Sequence, residues 1–264
     1  MRGISFATAL LALILISSCS DYRKVLKSTD MQYKYDTALE FYKDGKYAKA
    51  YPLFEELNIA YRGTEKGEKI AYYQAKCDYL LRDYMLGSHR FQQFYRNYPS
   101  SKMAEEAEFL AAYCNYQLSP KFSLDQNETY KAIRSFQLFA IDYPDSKRID
   151  SCNMLLDELR GKLEHKDYRA SMLYYKTSSY RAAQQALSNF NKEYPYSEHK
   201  EECWFLEYKA GYLLAFNSVD DKKNERIDQA MKAYVTFVDR FPESKYLREA
   251  ESMFDSLQKQ KGDT

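Results

Sequence analysis

"FNKEYPYSEHKEEC", residues 190–203, sets a proline between two stretches that otherwise read as helix. The same phrase returns as "FYRNYPSSKMAEEA" (94–107), "FAIDYPDSKRIDSC" (139–152) and "FVDRFPESKYLREA" (237–250). All four spell Phe-x-x-x-(Tyr/Phe)-Pro-x-Ser, with Ala107, Cys152, Cys203 or Ala250 six residues after the serine. Phe190 and Tyr194, four apart, share one helix face. Pro195 cannot continue that helix and pushes Tyr194 toward extended geometry. Ser197 can then cap the next helix by accepting from its free backbone N–H groups. An acid follows in each first turn (Glu105, Asp150, Glu201 and Glu249), favourable at the positive end of the helix dipole. The phrase means stop, turn, restart.

Seven residues before each Phe stands a small residue, Gly87, Ala132, Ala183 or Ala230, where two helices must approach closely. A fainter fifth copy, "LNIAYRGT", begins at Leu57, with Ala50 seven residues earlier. Its Arg62 replaces the proline and its Thr64 the serine. Within "ALEFYKDGKYAKAYPLFEEL", Ala38, Tyr42, Gly45, Tyr47, Ala50 and Phe54 fall at the helix-turn-helix positions of a tetratricopeptide repeat. "YLLRDYMLGSHRFQQF" repeats the second half with Tyr84, Gly87 and Phe91. The copies are spaced 37, 45, 51 and 47 residues apart, the longer units carrying insertions at 119–128 and 217–225.

The expected fold is therefore all-α, an α-solenoid of about five tetratricopeptide-like hairpins. Units are expected at 31–61, 65–98, 102–143, 147–194 and 199–241, with a closing helix at 245–260. Pro52 conflicts with the helix 47–61; a late helix start or a local kink would absorb it. Helices 147–164 and 166–177 have no breaker between Arg160 and Tyr175, so they can also run as one.

Composition agrees. Only 8 glycines and 6 prolines occur in 264 residues, and four of those prolines belong to the phrase. The formal net charge is +1, with no run of five like charges, which counts against nucleic acid as a partner. "MRG", the 13-residue apolar run Ile4–Ile16 and "ISSC" read as a secretory signal, residues 1–18. Ile16, Ser17 and Ser18 before Cys19 resemble a bacterial lipobox, with Ser18 in place of the commoner Gly or Ala. Cys19 is the expected lipid attachment site, bearing diacylglycerol and an N-acyl chain, and 19–30 would be its tether. The remaining cysteines, Cys77, Cys114, Cys152 and Cys203, sit inside expected helices with no CxxC pair and read as buried free thiols. His89, His165 and His199 are scattered surface residues. No catalytic motif, glycine-rich phosphate loop or metal-ligand spacing appears, so no enzyme, cofactor, metal or small-molecule substrate is expected.

A lipidated cysteine followed by five such repeats resembles the BamD (YfiO/ComL) family, lipoproteins of the outer-membrane β-barrel assembly machine. The resemblance covers essentially the whole chain and is most specific from Tyr143 to Tyr194. There "YPDSK", the leucines and Glu164 of "MLLDELRGKLEHKDY", Tyr174–Tyr175 and "YP" at 194–195 fall as in that family. It implies a scaffold on the periplasmic side of the outer membrane, with the barrel-forming subunit and unfolded outer-membrane β-barrel proteins as partners. Tyr61 matches a tyrosine closing the family's first repeat and is the implied partner-binding residue, although Arg62 stands where a proline usually follows. A basic residue implicated in coupling to the barrel-forming subunit is replaced here by Gln185–Ala186. Two other readings compete. One is a repeat lipoprotein coordinating another envelope system, Tol–Pal or peptidoglycan related, although no heptad run occurs in 20–34. The other is a helical support for a lytic transglycosylase, which would need a further catalytic domain.

Overall fold

The computed structural model describes residues 22–262, and among them are twelve α-helices and no strand. A short helix at 22–27 (α1) precedes α2 (Met31–Lys43), α3 (Tyr47–Ala60), α4 (Glu65–Leu80), α5 (Tyr84–Asn97), α6 (Ala104–Leu118) and α7 (Asn127–Asp142). Then come α8 (Ile149–Lys176), α9 (Tyr180–Glu193), α10 (Lys200–Phe216), α11 (Asp220–Arg240) and α12 (Leu247–Gly262). The chain divides within α8 into two compact units, Met1–Leu159 and Arg160–Thr264. In the first unit each of α2 to α7 packs on its neighbours in sequence, as stacked hairpins do. In the second, α9, α10, α11 and α12 surround one core built on Phe190, Phe205, Tyr208 and Phe237.

Every proline corner has the same geometry. The N–H groups of Tyr98, Tyr143, Tyr194 and Phe241 donate to the carbonyls of Phe94, Phe139, Phe190 and Phe237, the last helical bonds before the proline. Serine N–H groups then close a four-residue turn onto Tyr98, Tyr143, Tyr194 and Phe241 at 3.0–3.1 Å, with proline at its second position. The four Phe side chains are buried and tilt against the aromatic ring four residues on, at centroid distances of 5.0–5.7 Å. Burying one such ring stabilises the fold by about 1.5–3 kcal/mol.

The serine's role differs in detail from a simple N-cap. Its Oγ accepts from the N–H two residues on (Met103, Arg148, His199 and Tyr246), and the α-helix begins one residue later. The same hydroxyls also donate backward across the repeat. Ser101 donates to Glu68, Ser146 to Glu105 and Ser244 to Glu201. The acids at the helix starts thus sew one repeat to the next as well as facing the helix dipole. Their neighbours add a second stitch: Lys76 binds Glu106, Tyr168 donates to Glu202 and Lys209 pairs with Glu249.

Turns inside the hairpins follow another repeated pattern. Gly45, Arg82 and Ser178 are left-handed, with φ of 73°, 65° and 57°. Each closes a helix C-terminus with an N–H bond three residues back, followed by one five residues back from the next residue. Each turn is flanked by an edge-on or tilted tyrosine pair, Tyr42–Tyr47, Tyr79–Tyr84 or Tyr175–Tyr180. Arg82 and Ser178 take a conformation that costs a side-chain-bearing residue on the order of 1 kcal/mol.

The small positions behave as their spacing requires. Ala50, Ala132, Ala183 and Ala230 are fully buried, and a Cβ on Gly87 would meet Cys114 Sγ at 3.3 Å. Cys77, Cys114, Cys152 and Cys203 are buried free thiols, and burial pushes the Cys77, Cys114 and Cys203 thiols up to about 12. Pro52 lies inside α3, which begins at Tyr47, so the late start does not occur. Helices 147–164 and 166–177 are one helix, α8, because nothing in the sequence between them interrupts its hydrogen bonds. The insertion at 217–225 is mostly the first turns of α11. Residues 22–27, read as tether, are helical: Val25 is buried, Tyr22 donates to the Lys49 carbonyl, and its ring packs edge-on to Phe41. Residues 1–18 and Cys19 lie outside the described residues.

Candidate protein-docking surfaces

Tyr61 ends α3, and its backbone builds the corner into α4. Its N–H donates to the Leu57 carbonyl at 2.9 Å, while its own carbonyl accepts from Thr64 N–H (3.1 Å) and Thr64 Oγ1 (2.7 Å). Thr64 Oγ1 accepts from Gly67 N–H at 3.1 Å, a true N-cap for α4. The Tyr61 ring is half-buried against the core of α2, α3 and α4. Lys66 Nζ sits 5.5 Å from its centroid and 5.7 Å from that of Tyr35, within cation–π range of both, and donates to Gln32. Just behind, the buried Lys34 holds both oxygens of Glu56 at 2.6 Å. The family resemblance pointed to Tyr61 and gave no sign of Lys66, Tyr35 or Gln32. Lys66 follows a cap residue by two and Tyr35 comes from another helix, so no single stretch announces the cluster.

A second polar centre pins α3, α4 and α5. Asp78 Oδ2, with its side chain 4% exposed, lies 2.9 Å from Arg90 Nε. The N–H does not aim at that oxygen, so charge rather than a directed hydrogen bond holds the pair. Arg90 also donates to Tyr51 Oη at 2.7 Å, its guanidinium 5.5 Å from that ring's centroid. Burial pushes the Asp78 carboxyl up to about 7, against the pull of Arg90 and with the repulsion of Asp83 and Glu55. Burial and the facing Asp142 likewise raise Glu108 on α6 well above the ordinary glutamate range.

These two shifts set the sign of a pH dependence. Between the unfolded carboxylate range and about pH 7 the folded chain holds more protons than the unfolded one. Stability must therefore fall as pH rises through that window. Urea unfolding of the mature chain is expected to give a higher midpoint at about pH 5.5 than at about pH 8. The double variant Asp78→Asn/Glu108→Gln should flatten the profile; a midpoint that climbs with pH would contradict the assignment.

In the second unit, α9, α10 and α11 enclose a polar cleft of about 440 Å³ whose lining includes Arg181, Gln184, Gln185, Glu207 and Arg226. Gln185 is occupied by Asn189, and Arg181 stands one helical turn before it on the same wall. Burial raises the Glu207 carboxyl although Asn191, Ser188, Lys192 and Arg240 draw it down. His89 and His165 are exposed, as spacing suggested. His199 is not simply a surface residue, for it is half-buried with its ring stacked 3.9 Å above that of Tyr168. Among the described residues no cluster of His, Cys, Asp or Glu could hold a metal ion, and no helix is long and apolar enough to cross a membrane.

Repeated hairpins joined by proline corners of one geometry define a helical-repeat protein. The chain belongs to the YfiO family, described as outer membrane lipoprotein, whose profile matches residues 27–223 and again 169–260. A relative in Aquifex aeolicus (strain VF5), named outer membrane protein assembly factor BamD, is 30% identical over 167 residues. The match covers 62% of this chain and 55% of that relative.

Proposed function

We propose that this chain is a lipid-anchored scaffold, rather than an enzyme, of outer-membrane β-barrel assembly. The observation that carries the reading is the family match running through the repeats, beside a relative named for that task. Cys19 would carry the diacylglycerol and N-acyl chains, each buried methylene contributing about 0.8 kcal/mol, so that the mature chain rests on the periplasmic side of the outer membrane. The Tyr61 corner would receive the C-terminal segment of an unfolded barrel protein. Rings at Tyr35 and Tyr61 suit an aromatic end residue, and Lys66 suits a carboxylate. Occupying such a segment keeps an aggregation-prone strand from pairing before insertion. The barrel-forming subunit would dock on the second unit, with Arg181 supplying the cation absent at Gln185–Ala186.

The test is affinity purification of a tagged, full-length copy from its own envelope. The barrel-forming subunit should co-purify in near-equal amount, and Arg181→Glu should reduce its recovery at least fivefold. Cys19→Ser should move the chain from the membrane to the soluble periplasmic fraction. Recovery of the chain alone, or depletion that leaves outer-membrane barrels intact while disturbing division, would overturn the reading.

A further inference from the structure

The first hairpin has its charges sorted along its length. Where α2 turns into α3, Lys46 Nζ lies 5.9 Å from the Phe41 ring centroid and Lys49 Nζ 5.8 Å from it. Helix α1 begins at the same end. The Tyr22 ring packs edge-on to Phe41 with its centroid 5.6 Å from Lys49 Nζ, and its hydroxyl donates to the Lys49 carbonyl. Val25, which is buried, pins α1 to the hairpin and leaves Arg23, Lys24, Leu26 and Lys27 exposed. Lys43, in the last turn of α2, is exposed at this end too. Arg23, Lys27 and Lys43 make no ion pair among the described residues.

The acids nearby do not cancel these cations. Residues 21–29 and 40–49 hold six lysines and arginines against Asp21, Glu40 and Asp44, and Asp44 is paired with Lys46 at 2.8 Å. The rest of the hairpin, 30–39 and 50–61, holds Asp30, Asp36, Glu55 and Glu56 against Lys34 alone, itself bound to Glu56. In the turn between α4 and α5, Arg82 and Asp83 carry one charge of each sign. The turn end of the first hairpin is thus net positive in a chain whose total charge is only +1.

We infer that this end of the first unit lies against phosphate-bearing lipid headgroups. The inference deepens the assembly reading and rests on it for the anchor at Cys19. Three peptide links join Cys19 to Tyr22, and three links reach at most about 11 Å in any conformation. An acylated Cys19 sits at the bilayer interface, so Tyr22 and the cations beside it stay near one screening length of it, about 10 Å at 0.1 M salt. Each lysine or arginine so close to an anionic surface strengthens adsorption about fivefold. Leu26, 37% exposed among Arg23, Lys24 and Lys27, supplies an apolar side chain of the kind that interfacial helices sink between headgroups. The Tyr61 corner closes the opposite end of α3, about 20 Å away along the helix, and is left clear of the lipid.

Co-sedimentation of the mature chain carrying Cys19→Ser, which bears no acyl group, with lipid vesicles tests it. Vesicles of phosphatidylethanolamine and phosphatidylglycerol at low salt should retain at least tenfold more chain than vesicles of phosphatidylcholine, and physiological salt should release it. Arg23→Gln/Lys27→Gln/Lys43→Gln should lower retention at least tenfold, whereas Arg23→Lys/Lys27→Arg/Lys43→Arg should preserve it. Lys232→Gln/Arg248→Gln/Lys259→Gln, three exposed cations of the second unit, should change it less than threefold. Circular dichroism should show the same helical content in all variants. Equal retention on the two kinds of vesicle, or equal loss in the two glutamine variants, would overturn the surface. Neither result touches the anchor, which fractionation of the Cys19→Ser chain from cells tests separately.

Discussion

Arg90→Ala is expected to lower the unfolding free energy of the first unit by about 3 kcal/mol at about pH 8, the size typical of stranding one member of a buried pair. The loss comes less from the attraction removed than from the carboxylate left behind. Asp78 is almost wholly enclosed, and Arg90 is the only cation paired with it among the described residues. The same substitution also removes the bond to Tyr51 and so loosens α3 from α5. Because burial already raises the Asp78 carboxyl to about 7, the variant has an escape: below that pH the acid takes up a proton and the penalty shrinks. Urea denaturation should therefore show a large deficit at about pH 8 and a smaller one at about pH 5.5. Adding Asp78→Asn should recover part of the deficit at the higher pH. A single-variant loss below about 1 kcal/mol at pH 8, the worth of a surface pair, would refute the buried-pair account.

Two helical glycines should respond to alanine with opposite signs. Alanine in a helix interior is favoured over glycine by about 1 kcal/mol, so propensity alone predicts stabilisation at both. For Gly161 in α8 that prediction stands, since a Cβ there meets nothing within 4 Å. At Gly67 a Cβ would lie 2.1 Å from the Tyr61 carbonyl oxygen and 3.0 Å from its carbon. Neither atom can swing aside, because that carbonyl is held by the Thr64 N–H and hydroxyl. Gly67→Ala should cost about 2–3 kcal/mol, the range of overpacking against an unyielding neighbour. On the proposed function, it should also reduce binding of barrel-protein C-terminal peptides at the Tyr61 corner. Stabilisation by Gly67→Ala would mean that α3 and α4 are not joined as closely as the corner requires.

The corners were legible residue by residue. Proline forbids the helical hydrogen bond, the aromatic pair four apart must face one core, and serine suits a helix entry; each effect is local and survives removal from its surroundings. The small residues seven before each Phe were equally readable, because their spacing alone says that a close neighbour lies on that face. Other features were harder. Of the three left-handed turns inside the hairpins, one carries glycine, Gly45, while Arg82 and Ser178 take the same geometry under the flanking tyrosines. The signal was there as tyrosines three residues before and two after the turn residue. Pro52 went the other way: local rules ask for a break, yet the buried Leu53, Phe54 and Leu57 hold α3 continuous.

From the amino-acid order alone came the all-helical class, the repeat and its corners, since these follow from backbone sterics and the three-to-four-residue periodicity of buried side chains; the family likeness came from the resemblance of particular motifs. Pairings between helices far apart in the chain had to wait for the folded molecule. Ser101 with Glu68, Asp78 with Arg90 and Lys66 with Tyr35 depend on helix rotation and separation. Those are set by how whole faces pack, and a serine, a lysine or an arginine on a helix surface reads the same whether or not a partner has been brought beside it.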